Sequence, residues 1–188
     1  MKKLAVFASG NGSNFQAIFD SIKLGEIQAE ISVVICDKTN AGVIERAKSV
    51  NIPVVCFVPK EYTTKADFEK EVLTVLQNHK IDYVILAGYM RLIGETLLGA
   101  YENRIVNIHP SLLPAFPGKD AVGQAFQAGV KVTGVTVHFV DAGMDTGPII
   151  AQKAIEIEAG DTIEAIADKI HKVEHMLYPK VIKKLVSK

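Results

Sequence analysis

Residues 4–8, Leu-Ala-Val-Phe-Ala, form an unbroken apolar run, and Ser9-Gly10-Asn11-Gly12-Ser13-Asn14 follows it directly. A continuous apolar run marks a strand buried on both faces. Phe15, Ile18, Phe19 and Ile22 then recur at helical spacing, so an amphipathic helix begins at the turn. Strand, glycine-rich turn and helix N-terminus together make an anion site, because backbone N–H groups point outward there and the helix dipole favours phosphate. Ser13 and Asn14 are expected to cap the helix and to add side-chain contacts. The rival reading is a dinucleotide fingerprint. Gly10 and Gly12 match its first two glycines, but Phe15 takes the third place, and its bulk prevents the close helix–strand approach that motif needs. Asp37, the candidate ribose-binding acid, sits late. A phosphate monoester suits the turn better than a nicotinamide dinucleotide, and a tight turn with no ligand is the third reading.

The alternation continues. Strands are expected at 31–35, 54–58 and 83–87, and helices at 41–50, at about 65–79 behind the N-cap candidate Thr64, and at 95–101. The second half is more mixed. A strand at 105–108 and a helix at 122–128 closed by Gly129 precede a strand at 132–140 expected to be exposed on one face. A further strand at 148–157 is a candidate antiparallel partner. The last helix starts from Asp161-Thr162-Ile163-Glu164, read as a capping box with Asp161 in the cap position, and runs to about 184 with a bend at Pro179. The pattern predicts one doubly wound α/β domain over 1–188, with a mostly parallel sheet, a Rossmann-like N-terminal half and a mixed C-terminal half.

With 188 residues, 48% apolar and 22% charged, the chain can bury one sizeable core. Lys+Arg and Asp+Glu are both 21, so no net positive charge argues for nucleic acid. The apolar stretch after Met1-Lys2-Lys3 is too short for a signal peptide or a membrane span, which predicts a cytoplasmic protein with no membrane partner. Cys36 and Cys56 lie in strand-like runs without CxxC spacing and read as free thiols.

The chemistry concentrates in Asn107-Ile108-His109-Pro110-Ser111-Leu112-Leu113-Pro114. Asn107 and His109 are two apart, so on a strand they point to one face. Pro110 cannot continue the ladder and sends the chain into a loop. Two prolines bracketing 111–113 suggest a cis Leu113–Pro114 bond. Asp141 and Asp145 sit in a second turn-rich loop, 141–148. A neutral donor, an imidazole and a carboxylate are what acyl-type transfer needs: oxyanion stabilisation, proton transfer and an orienting charge. The plain alternative is that His109 caps a strand and Asp145 forms a turn. His138 reads as a structural histidine.

These segments, with Phe116-Pro117-Gly118 and Met144-Asp145-Thr146-Gly147-Pro148, closely resemble the phosphoribosylglycinamide formyltransferases of purine biosynthesis, over nearly the whole chain. The resemblance implies transfer of a formyl group from 10-formyltetrahydrofolate to the amine of 5-phosphoribosylglycinamide, with no metal. It implies Asn107, His109 and Asp145 as catalytic residues. It further implies Gly12, Ser13 and Asn14 at the substrate phosphate, with 171–174 (His171, Lys172, Val173, Glu174) near the ribonucleotide and its amine. For the folate it implies Lys65, Met90, Arg91, Leu92 and Ile93 together with Asp141, Ala142, Gly143, Met144, Asp145 and Asn107. The partners implied are small molecules, and the oligomeric state stays open between monomer and homodimer.

The rivals are a hydrolase that releases formate from the same folate, a formyltransferase acting on aminoacyl-tRNA, and a non-catalytic nucleotide-binding module. The hydrolase usually carries an N-terminal regulatory domain and the tRNA enzyme a C-terminal one, for which no residues are expected here. Intact Asn107, His109 and Asp145 speak against the module. Residues 119–123, Lys-Asp-Ala-Val-Gly, lack the histidine some members carry after Pro-Gly. His171-Lys172-Val173-Glu174-His175 matches the H-x-x-E-H pattern of zinc peptidases, but the pattern is short and no third ligand is apparent.

Overall fold

The computed structural model describes residues 1–187. One seven-stranded sheet carries the molecule, in the order β3-β2-β1-β4-β5-β6-β7. The parallel portion comprises β1 (Lys2–Ala8), β2 (Ala29–Cys36), β3 (Val54–Cys56), β4 (Tyr83–Leu86) and β5 (Ile105–His109). β6 (Val132–Phe139) pairs antiparallel with β5, and β7 (Ile149–Glu156) antiparallel with β6. β1 is central, and Leu4 to Ala8 are fully buried, because helices cover both of its faces. Full burial of such side chains stabilises by roughly 1.5–3 kcal/mol each.

Helices α1 (Ser13–Lys23), α2 (Gly42–Ser49) and α6 (Ile163–Val186) pack on one face. Helices α3 (Lys65–Asn78) and α4 (Glu95–Ala100) pack on the other. Thr64 caps α3 by accepting from the Asp67 N–H at 3.1 Å, as its place in the sequence predicts. Helix α5 (Ala121–Ala128) ends at Gly129, whose φ of 67° is the left-handed stop that glycine allows. Cys36 and Cys56 are both free, and burial pushes the Cys56 thiol up.

Several expectations need correction. β6 is not open on one face. Six consecutive residues from Thr133 to His138 are buried, because β5 and β7 flank the strand, α6 covers one side and the 111–113 loop the other. α6 is capped by Thr162, which accepts from the Ala165 N–H at 3.2 Å. Asp161 instead accepts from the Glu158 N–H and from Lys169 Nζ. α1 starts from Gly12 in the left-handed region with no side-chain cap, and Ser13 and Asn14 are its first two residues. β3 has only three residues, because the chain turns into a 3-10 helix at Pro59–Glu61.

Candidate functional site

The C-terminal ends of β1, β4 and β5 open into a cavity of about 800 Å³. Parallel sheets of this kind bind their ligands at those ends, where strand order reverses. β1 hands the chain to the glycine-rich turn, and Gly12, Ser13 and Asn14 line one end of the cavity. Two contacts shape that turn. The Val43 N–H donates to the Gly10 carbonyl at 3.0 Å, and Arg46 donates to the Asn11 carbonyl and side chain, each at 2.8 Å. Phe15 is fully buried in the core at the place where a dinucleotide motif needs its third glycine. Beside the turn, Glu174 of α6 is 5% exposed and accepts from Asn14 Nδ2 at 3.2 Å and from His171 Nδ1 at 3.0 Å. That bond holds the His171 ring above the usual histidine pKa, against burial. The Asn14 side-chain oxygen, Oδ1, is buried without a protein partner.

β5 delivers Asn107 and His109 to the middle of the cavity. His109 Nε2 lies 2.9 Å from the Phe116 carbonyl. A carbonyl only accepts, so Nε2 carries the hydrogen and Nδ1 is the nitrogen left to exchange a proton. Nδ1 stands 3.5 Å from Asp145 Oδ2. Asp145 is held in turn by the Gly118 N–H, which donates to Oδ2 at 2.7 Å, and it adopts a left-handed φ of 56° that Asp tolerates better than most residues. The loop after β5 is tied to β6 and β7: Thr136 Oγ1 donates to the Ser111 carbonyl at 2.7 Å and accepts from the Leu113 N–H at 3.0 Å, while Gln152 donates to the Leu113 carbonyl at 2.9 Å. The Leu113–Pro114 bond is cis, as the bracketing prolines predict.

His138 belongs to the same cluster. It is 2% exposed, its Nδ1 lies 2.8 Å from the Phe139 carbonyl, and its Nε2 faces Asn107 Nδ2 at 3.3 Å. The Phe139 carbonyl fixes the hydrogen on Nδ1, so Nε2 accepts one of the two Asn107 amide hydrogens. Burial holds the ring below the ordinary histidine pKa, against the opposing pull of the Phe139 bond and Asp145. Little in the local sequence marks this role. The one signal in the sequence was its nearness to the 141–148 loop; its place opposite Asn107 is a matter of strand register.

Met90, Arg91, Leu92 and Ile93 line the other end of the cavity with Asp141, Gly143, Met144 and Asp145. Met90, Leu92 and Met144 are more than half exposed, an apolar rim without a protein partner to cover it. His171 also lines the cavity. Four residues singled out in the sequence do not. Lys65 is exposed on the first turn of α3, Ala142 sits at the tip of its loop, Lys172 faces out from α6, and Val173 turns into the core. Among the described residues no three His, Cys, Asp or Glu side chains converge as a metal site, and His171 is bonded to Glu174 instead. No helix among them is long and apolar enough to cross a membrane.

Comparison with known proteins bears on the same arrangement. Residues 2–182 match the model of the formyl transferase family. A Bacillus subtilis protein, phosphoribosylglycinamide formyltransferase, is 61% identical over 186 residues, covering 99% of this chain and 95% of that one. The crystal structure of phosphoribosylglycinamide formyltransferase from Bacillus halodurans superposes with a TM-score of 0.97 at 58% identity, over 100% of this chain and 96% of that one. Glycinamide ribonucleotide transformylase 1 from Geobacillus kaustophilus gives 0.96 at 60% identity, over 98% of each chain.

Proposed function

The chain belongs to the formyl transferase family, and from that premise we propose that it moves a formyl group from 10-formyltetrahydrofolate to the amine of 5-phosphoribosylglycinamide, a step of de novo purine biosynthesis. One observation carries the reading. Asn107, His109 and Asp145 meet in the middle of a cavity with an anion-binding turn at one end and an apolar rim at the other. A phosphorylated substrate suits the first end, and a flat heterocycle suits the second.

In this mechanism the substrate amine attacks the formyl carbon directly. The new carbon–nitrogen bond pushes charge onto the formyl oxygen, where the free Asn107 amide hydrogen donates. Because His138 accepts the other hydrogen, the amide is already aimed. His109 exchanges protons through Nδ1, and the Asp145 carboxylate 3.5 Å away balances the positive ring and orders a relaying water. The bond from carbon to the folate N10 then breaks. The amine has lost one proton and N10 has gained one, so the step balances with no covalent enzyme intermediate and no metal. Glu174, between Asn14 and His171, is suited to meet the attacking amine. The substrates are small molecules, and the proposed compartment is the cytoplasm, with neither nucleic acid nor membrane as partner.

The test is a formyl-transfer assay with both substrates, run beside a formate-release assay without the amine. Amine-dependent transfer is expected. Formate release at a comparable rate without amine would favour the hydrolase, and neither activity would refute the reading.

A further inference from the structure

The cavity's apolar end is a turn, residues 88–94, whose Met90 and Leu92 side chains are more than half exposed, so its backbone is fixed by contacts at the turn's two ends. Its beginning is held from β1. The Ser9 N–H donates to the Gly88 carbonyl at 3.1 Å, the Met90 N–H donates to Ser9 Oγ at 3.0 Å, and the Tyr89 ring meets Phe7 edge-on at 5.3 Å. Its end is held by Ile93, buried in the core, and by one carboxylate. Glu69, in the second turn of α3, is 2% exposed and accepts from the Gly94 N–H at 2.5 Å and from the Leu97 N–H at 3.4 Å.

That carboxylate is unusual in two ways. Among the described residues it forms no salt bridge. A buried carboxylate without a counter-charge is costly unless hydrogen bonds offset it, and here backbone N–H groups do. It also constrains its partner, since a Cβ at Gly94 would lie 2.8 Å from both carboxylate oxygens. Its two partners are the N-cap Gly94 and the third residue of α4, so the carboxylate caps that helix and, in the same contact, fixes the turn that leads into it. The preceding residue of α3, Phe68, is the ring over which Arg91 of the same turn sits at 5.8 Å. One face of α3 thus grips the turn at two points.

We propose that Glu69 is a positioning residue: its buried carboxylate sets the turn 88–94 that receives the ring of the formyl donor. The assignment rests on the proposed function, in which this end of the cavity takes the folate. Glu69 touches neither substrate. It acts by holding the Gly94 N–H and through it the backbone of residues 90–93 against the ligand. Loosening that turn weakens donor binding and leaves the distant phosphate end alone.

The test uses the whole chain, with folic acid as the binding probe for one end and the phosphorylated amine for the other. Glu69→Gln keeps the volume and one acceptor, and Glu69→Ala removes both. Folic acid affinity and donor KM are expected to weaken by roughly tenfold in Glu69→Ala and by less in Glu69→Gln. The amine KM stays within about twofold, and kcat at saturating donor changes less than donor KM. Gly94→Ala weakens the donor to a similar degree by displacing the carboxylate, and it adds little when Glu69 is already Ala. Equal losses for both substrates, moving with thermal stability, would make Glu69 a plain helix cap and overturn the assignment. So would unchanged folic acid binding in both Glu69 variants. A wild-type protein that binds no folic acid and transfers no formyl group removes the functional reading and this assignment with it.

Discussion

Two histidines flank one carboxylate, and opposite tautomers divide the work between them. His109 spends Nε2 on the Phe116 carbonyl and presents Nδ1 to Asp145, while His138 spends Nδ1 on the Phe139 carbonyl and presents Nε2 to Asn107. One ring is left to move protons and the other to orient an amide. Phe116 adopts a left-handed φ of 53°, costly for a bulky residue, and its carbonyl accepts from both His109 and Ser111 Oγ. Asp145→Asn isolates the charge, because Asn accepts the Gly118 N–H equally well and tolerates the φ of 56°. Steady-state kinetics should show kcat lower by about two orders of magnitude or more, with a much smaller change in KM, since the lost interaction is made chiefly in the transition state. Near-wild-type kcat would refute the coupled pair. His109→Ala and Asn107→Ala should behave likewise, and double variants should be less than additive.

At the scale of elements, the strand–turn–helix unit is the most exposed to a single change. Gly12 has a φ of 82°, and a Cβ there would lie 2.8 Å from Val43, so α2 and the turn fit only with glycine. Gly12→Val should raise KM for the phosphorylated amine at least about tenfold and leave folic acid binding little altered. Equal affinity of the wild type for the phosphorylated and dephosphorylated amine, by calorimetry, would remove the phosphate role of this turn. In α6, His171 is committed to Glu174, so exhaustive chelation should leave turnover intact. Loss of activity restored by zinc would revive the H-x-x-E-H reading. Most of this architecture was legible because local patterns decide it: the apolar run of β1, the spacing of α1, and the prolines that end β5. What local pattern missed was set by neighbours distant in sequence. The alternation in 132–140 suggested an open face because nothing in it reveals that the 111–113 loop lies across β6. Nothing local marks Glu69, because its partner Gly94 is 25 positions away.

Across the whole molecule, three histidines set how the fold answers acid. Burial holds His138 and His175 below the ordinary histidine pKa, and the Glu174 bond holds His171 above it. A histidine depressed in the folded state is protonated first in the unfolded chain, so its stability is present above about pH 6.5 and lost as pH falls below that value. A raised histidine works the other way, gaining stability in acid. The His171 side chain is 56% exposed, however, and solvent screening reduces its share. His138, at 2% exposure, dominates. The melting temperature should therefore drop between pH 7.5 and 5.5, by roughly 2–4 °C for each kcal/mol involved in a chain of this length. Activity should fall at lower pH than the onset of stability loss, because the folded His138 takes its proton only below the ordinary histidine value; the protonated ring carries a hydrogen on Nε2 and no longer accepts from Asn107, which turns the amide away from the formyl oxygen. His138→Gln removes the titration yet offers a carbonyl oxygen to Asn107. Its melting temperature should depend less steeply on pH than the wild type's, and its kcat should lose less on acidification. Scanning calorimetry and initial rates at pH 7.5, 6.5 and 5.5 measure both slopes, and identical slopes in the two proteins would show that acid acts elsewhere than on His138.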